Sequence, residues 1–259
     1  MTSTGHLEQQ LRTLRLSETA QQLPEMITEA EKQDASYQEF LARLLNYEQK
    51  RREEKRIERN MKWAAFPFHK TLEEFDVHEQ TALSQKQLNQ LKELTWLDQL
   101  YNLILLGPPG VGKTFLGVAL GIEAIYRGYQ VSFLPMGELV HILKTADVIR
   151  KSQTRKKRIL KSDLVIIDDL MYMAMNQQEA NLFFQLINEL YDQSTIIFTS
   201  NKGPKDWGDL LGDPATTTAI LDRILHRAEV IQMDGESYRM KYRKSIFGEE
   251  NEQDKSVQN

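Results

Sequence analysis

Leu103-Ile104-Leu105-Leu106-Gly107-Pro108-Pro109-Gly110-Val111-Gly112-Lys113-Thr114 passes from an apolar strand pattern through a glycine-rich turn into a helix-like stretch that opens at Phe115. Such a turn can point its backbone N–H groups inward at phosphate oxygens, and the helix N-terminus behind it adds positive dipole. Lys113 can then reach β- and γ-phosphates, and the Thr114 hydroxyl can ligate Mg²⁺. All four fixed positions of the phosphate-loop pattern are present between strand and helix. The spacing predicts a nucleoside triphosphate site formed by Gly107, Pro108, Pro109, Gly110, Val111, Gly112, Lys113, Thr114 and Phe115.

A phosphate loop needs a metal-holding acid. Leu164-Val165-Ile166-Ile167-Asp168-Asp169 supplies one at the end of a buried-strand pattern. Asp168 is expected to hold Mg²⁺ and Asp169 to stand where a carboxylate activates water. Two acids closing an aliphatic strand would otherwise repel each other. Thr195-Ile196-Ile197-Phe198-Thr199 reads as a further strand running into Ser200-Asn201. Thr199 and Ser200 qualify by position as residues orienting the attacking water. Asn201 is favoured, because a carboxamide both accepts and donates hydrogen bonds. Later, Arg223 and Arg227 lie four apart on one helix face, with Asp222 beside the first. Either could stabilise a transferring phosphoryl group from a neighbouring subunit, or form a surface salt bridge. Arg239, in Ser237-Tyr238-Arg239, is a candidate to reach the nucleotide of its own chain.

Around these motifs the chain divides into three stretches. Residues 1 to 62 carry one glycine and one proline, with Leu7, Leu11 and Leu14 at helical spacing and a capping-box start at Ser36 and Glu39. They predict a small all-α N-terminal domain of short amphipathic helices, making contacts to DNA, a partner or another subunit. Residues 63–248 alternate strand-like and helical patterns, which predicts an α/β domain with a parallel sheet wrapped by helices. Its strands are expected at Asn102–Leu106, Gln130–Leu134, Leu164–Asp168, Thr195–Thr199 and Glu229–Met233, with a docking linker over 63–75. Residues 249–259 read as a disordered acidic tail.

With 259 residues, 41% hydrophobic and 27% charged, the chain has the composition of a globular protein, and zero cysteines exclude disulfides and thiolate metal sites. No apolar run is long enough to span a bilayer and no signal-peptide core opens the chain, so no membrane association and a cytoplasmic location are expected. A net charge of −4 hides two basic stretches. Lys50 to Lys62 holds seven Lys or Arg against three Glu, and Arg150 to Lys161 holds seven and no acid. Phosphate backbones respond to such local density; a solvated helix face would show the same pattern.

The order of phosphate loop, acidic strand end, Asn after the next strand and Leu221-Asp222-Arg223 resembles the AAA+ ATPases. Ala219-Ile220-Leu221-Asp222-Arg223 followed by Gly235-x-Ser237-Tyr238-Arg239 is narrower, and resembles the IstB-like helper ATPases of bacterial insertion sequences, relatives of the DnaC helicase loaders. The resemblance implies an AAA+ P-loop NTPase with a five-stranded parallel sheet, ATP and Mg²⁺ as cofactors, self-assembly on duplex DNA through ATP at subunit interfaces, and a partner transposase. It implies Lys113 and Thr114 on nucleotide and metal, Asp168 on Mg²⁺, Asp169 as catalytic acid position and Asn201 as sensor. Arg223 becomes the leading arginine finger and Arg227 the alternative. Asp169 stands where such enzymes commonly carry Glu, so slow hydrolysis, or hydrolysis needing DNA or a partner, is expected. The clade also carries an extra helix before the acidic strand, here about Gly137 to Lys161, that faces nucleic acid. It makes Arg150, Lys151, Arg155, Lys156, Lys157, Arg158 and Lys161 the expected non-specific phosphate contacts. A DnaC-like loader preferring single strands is the alternative. A small-molecule P-loop kinase would leave Asn201, the arginine helix and the basic insert without a role.

Overall fold

The computed structural model describes residues 3–76, 83–170, 175–208, 214–235 and 237–238. The chain forms two compact units, Met1–Lys62 and Trp63–Asn259.

The first unit is helical: α1 (Thr4–Thr13), α2 (Ser17–Lys32) and most of α3 (Tyr37–Ala64). The start of α3 is fixed by Ser36 and Glu39. The Glu39 side chain accepts from the Ser36 backbone N–H at 2.9 Å, and the Ser36 hydroxyl accepts from the Glu39 N–H at 3.3 Å. Inside this unit the Glu48 carboxylate is 4% exposed and accepts from both the N–H and the hydroxyl of Thr19, at 2.9 and 2.8 Å. The basic run continues α3 without a break to Ala64, two residues into the expected linker 63–75, and the helix ends where Ala65 turns to φ 60°.

The second unit begins with α4 (Gln85–Lys92) and α5 (Thr95–Asp98). The sheet elements then alternate: β1 (Asn102–Leu106), α6 (Lys113–Tyr126), β2 (Val131–Pro135), α7 (Met136–Thr145), α8 (Arg150–Ile159), β3 (Leu164–Asp168), α9 (Gln177–Leu190), β4 (Thr195–Ser200), α10 (Pro214–His226) and β5 (Ala228–Gln232). All pairings are parallel, in the order β2-β3-β4-β1-β5. Every residue of β1, β3 and β4 is buried, which is why these strands read as unbroken aliphatic runs. Edge strand β5 is mostly exposed. Helix α6 packs on β1 to β4, while α7 packs on β2 and β3, with α9 beside it and α10 on α9. The core between them includes Phe183, Phe198 and Trp207.

This order sets the chemistry. The chain leaves β1, crosses α6 to the far edge, and returns so that β4 lies between β3 and β1. The carboxyl ends of β1, β3 and β4 therefore open side by side, and ligands of open α/β sheets bind at such a crevice.

The insert before β3 differs from the single helix expected. It is two helices, α7 and α8, parted by Ala146-Asp147-Val148-Ile149. The tail 249–259, Met171 to Met173, Gly212-Asp213 and Arg239 lie outside the described residues.

Candidate functional site

The phosphate loop takes the backbone its glycines permit. Gly107, Gly110 and Gly112 have φ of 150°, 90° and 95°. A Cβ on Gly107 would fall 2.0 Å from Met233 O, and one on Gly110 would fall 2.1 Å from Ser237 Oγ. Both glycines thus serve close approach: the chain after β5 runs against the loop, and the Tyr238 N–H donates to Gly110 O at 3.1 Å. Lys113 opens α6 and is buried, with its ammonium donating to Gly107 O at 2.7 Å and Pro108 O at 2.9 Å.

Asp168 ends β3 at the same mouth. Its Oδ1 accepts from the Thr114 hydroxyl at 2.8 Å and from the Thr199 hydroxyl at 2.6 Å. Burial pushes its carboxyl above the ordinary value; the hydrogen bonds from Thr199 and Thr114 oppose that rise, and the Asp169 charge adds to it. A buried carboxylate beside a hydroxyl is a hard-oxygen donor pair suited to Mg²⁺, which takes few protein ligands and completes its shell with phosphate oxygens and water. Among the described residues no cluster of three or more His, Cys, Asp or Glu forms a self-sufficient metal cage.

Asp169 is exposed and sits at φ 55°, a left-handed conformation that Asp tolerates, with its N–H donated to Thr199 Oγ1 at 2.9 Å. Thr199 therefore holds both acids, a role not read from the sequence because a strand threonine carries no signal of its cross-strand partner. Ser200 is spent on a turn, exchanging hydrogen bonds with Lys202. Asn201 lines the pocket with Lys113, Thr114, Asp168 and Asp169.

That pocket has a volume of about 740 Å³ and a wall that the sequence did not reveal. Phe68 and Phe75, from the segment following α3, lie 6.3 and 5.6 Å from the Phe115 ring, and Lys70 stands over the same ring at 5.2 Å. Phe66 packs on Phe133 at 6.3 Å. Gly121 makes room for it, since a Cβ there would meet Phe66 at 2.9 Å. The loop lysine and the Thr114 and Asp168 oxygens thus share the pocket with an apolar wall of rings tilted 39° and 46° about Phe115.

Arg223 and Arg227 do not line this pocket. Arg223 donates to Ala219 O at 3.0 Å and lies 5.1 Å over the Phe184 ring, and Arg227 is 3.9 Å from Asp192. Of the basic stretch, Arg150, Lys151, Lys157 and Lys161 are exposed and Lys156 is 3.9 Å from Glu189. Arg155 is a correction. Its guanidinium turns inward, donating to Trp63 O and Phe133 O at 2.8 Å each, and burial lowers its pKa. A side chain spent on buried carbonyls is not presented to phosphate. Arg158 is half-buried, 5.1 Å over the Trp63 ring.

A parallel sheet with an extra strand between the phosphate-loop strand and the acidic strand, carrying this pocket, defines an AAA+ P-loop protein. Residues 9–246 match the family described as IstB-like ATP binding protein, and the chain belongs to that family. It is 38% identical over 235 residues to a Pseudomonas aeruginosa protein whose name ties it to insertion sequence IS21 and ATP binding, covering 91% of this chain and 89% of that one. It is 37% identical over 240 residues to a similarly named Bacteroides fragilis protein, covering 93% and 91%. Among solved structures, DnaI superposes with a TM-score of 0.52 at 20% identity, over 64% of this chain and 89% of that chain. DnaA bound to AMPPCP and single-stranded DNA gives 0.51 at 24%, over 66% and 52%. Both share the fold. No helix among the described residues is long and apolar enough to cross a membrane.

Proposed function

We propose that this protein is an ATP-dependent transposition helper that assembles with its own copies on duplex DNA, engages a partner transposase, and times assembly and release by hydrolysing ATP. The observation that carries the DNA reading is the outer surface of α8. Arg150 and Lys157 share one face, opposite buried Ser152 and Ile159, and Lys161 continues their line. Among the described residues no acid pairs with Arg150, Lys151, Lys157 or Lys161, so their charge is free to replace counterions on a phosphate backbone. The insertion-sequence names of its relatives support the transposase as partner.

In this reading Lys113 and the loop N–H groups bind the phosphates, and Thr114 with Asp168 would hold Mg²⁺, which supplies charge neutralisation at the β- and γ-phosphates. Asp169 accepts the proton of the attacking water and Asn201 orients that water. The short Asp169 side chain favours slow turnover that rises with DNA or a partner bound. Arg223, or Arg227, acts on the nucleotide of an adjoining subunit, a reading supported by the absence of both from the lining of their own chain's pocket.

Light scattering and DNA binding with ATP, ADP or no nucleotide, on duplex and single strands of equal length, test this. Assembly on duplex only with ATP, lost in Lys113→Ala and Arg223→Ala, is the expected result. Assembly on single strands alone would transfer the protein to the helicase-loader reading. A nucleotide-binding monomer indifferent to DNA would overturn both.

A further inference from the structure

The turn between α7 and α8 ends in two residues unusual for a turn. Its sequence is Ala146, Asp147, Val148 and Ile149; Asp147 is an ordinary turn residue, but the β-branched pair after it points outward. Val148 is 87% exposed and Ile149 43%. A lone exposed apolar side chain needs no explanation. An adjacent β-branched pair, held on an ordered turn that opens an acid-free helix of six Lys or Arg, does.

The turn is braced. The Val148 and Ile149 N–H groups both donate to Thr145 O, at 3.1 and 2.8 Å, and Ile149 O accepts from the Gln153 N–H at 3.0 Å. The Thr145 hydroxyl donates to His141 O at 2.7 Å and shares a 2.7 Å hydrogen bond with Ser152 Oγ. Ala146, just before the tip, is buried. The apolar pair is therefore presented on a fixed support and loses little conformational freedom on binding.

We propose that Val148 and Ile149 form an apolar wedge that enters a groove of duplex DNA and partly unstacks a base step, while Arg150, Lys157 and Lys161 hold the flanking phosphates. Charge selects the occupant. The wedge leads directly into Arg150 and Lys151, and phosphate backbone is the partner that an acid-free cationic face accepts. Aliphatic wedges beside basic side chains are how minor-groove proteins offset the cost of unstacking. Asp147, exposed beside the tip, would repel a phosphate but can accept from the guanine amino group that the minor groove displays, so the tip meets base edges rather than backbone. The inference rests on the duplex-DNA reading above and adds to it a mode of contact independent of the lysines.

The test uses the full chain with ATP and a set of duplexes carrying 2-aminopurine at successive positions. Binding of the wild-type protein is expected to raise the fluorescence at least about twofold, as unstacking does. The Val148→Ser/Ile149→Ser variant is expected to lose most of that rise, with duplex affinity falling by less than about threefold because the phosphate contacts remain. Both side chains are solvent-exposed, so its thermal unfolding should match the wild type. A rise of equal size in the variant would overturn the wedge, as would tight binding by the wild type with no rise at all; in both cases the duplex-DNA reading stands. Failure of the wild type to bind duplex under any nucleotide would bring down both.

Discussion

Between Lys50 and Lys62 seven cations share a helix with three glutamates, and between Arg150 and Lys161 seven cations run with no acid among them. In the first stretch five of the seven charges are spent on acids: Arg51 on Glu54, Arg56 on Glu53 and Lys62 on Glu58, at three- or four-residue spacing, with Arg52 on Glu48 and Lys55 on Glu18. In the second, Lys156 alone comes within 4.0 Å of an acid, Arg155 and Arg158 turn towards Trp63, and the rest face solvent. Equal numbers of cations thus give opposite surfaces. What separates them is whether an acid lies one helical turn away, a feature that net charge over a window does not register.

The sharpest way to break this contrast is charge reversal on each side. Arg150→Glu/Lys157→Glu/Lys161→Glu is expected to weaken duplex binding by more than about 100-fold near 0.1 M salt. Its log–log salt slope should be shallower by about 2.7, the share of three phosphate contacts. Arg51→Glu/Arg56→Glu/Lys62→Glu should leave the slope within about one unit of the wild type, since those cations already have partners. Anisotropy titrations at several salt concentrations read both. A steeper loss from the second set would move the DNA contact to the helical unit.

Arg155 tests the contrast within α8 itself. Arg155→Ala removes charged hydrogen bonds to the carbonyls of Trp63 and Phe133. The expected cost is about 2 kcal/mol of stability, or about 4–8 °C in Tm for a unit of this size. The salt slope should not change. Arg155→Lys should restore little of the stability, because an ammonium cannot span two divergent carbonyls as the guanidinium fork does. A shallower salt slope in Arg155→Ala would return this residue to the DNA surface.

These differences also mark how far the sequence could be read. Each of the five strands lies within a residue of its expected place, and for β1, β3 and β4 the reason is that strands buried on both faces leave continuous apolar runs. The fixed spacing of the phosphate loop and the two acids closing β3 likewise brought Lys113, Thr114, Asp168, Asp169 and Asn201 into one pocket. What was hidden depends on side chains meeting across the fold. Thr199 bonds to both acids from a neighbouring strand, and Phe68, Phe75 and Phe115 converge from segments some forty residues apart. Arg155 turns inward because the break at 146–149 sets the phase of α8, and no glycine or proline announces that break.

The smallest effects should come from single glutamates in α3, where two neighbours of the same kind are expected to part. Burial alone would raise the Glu48 pKa. The Thr19 N–H and hydroxyl, with Arg52, outweigh it and hold the carboxyl below its ordinary value of 4.5. A depressed folded pKa means that the stability it contributes is present above about pH 4.5 and is lost as pH falls through the lower folded value. Glu48→Gln should therefore lower Tm at pH 7, at a cost of about 1 kcal/mol, and the gap to the wild type should close on acidification. Glu58, ten residues along the same helix, meets only Lys62 at the surface, with both side chains more than half exposed. Glu58→Gln should leave Tm unchanged at pH 7, because an exposed ion pair offsets its Coulomb gain with lost side-chain freedom. Equal Tm shifts from the two variants would mean that the Thr19 hydrogen bonds add nothing beyond charge, and that a buried, doubly bonded carboxylate in α3 contributes no more than an exposed ion pair.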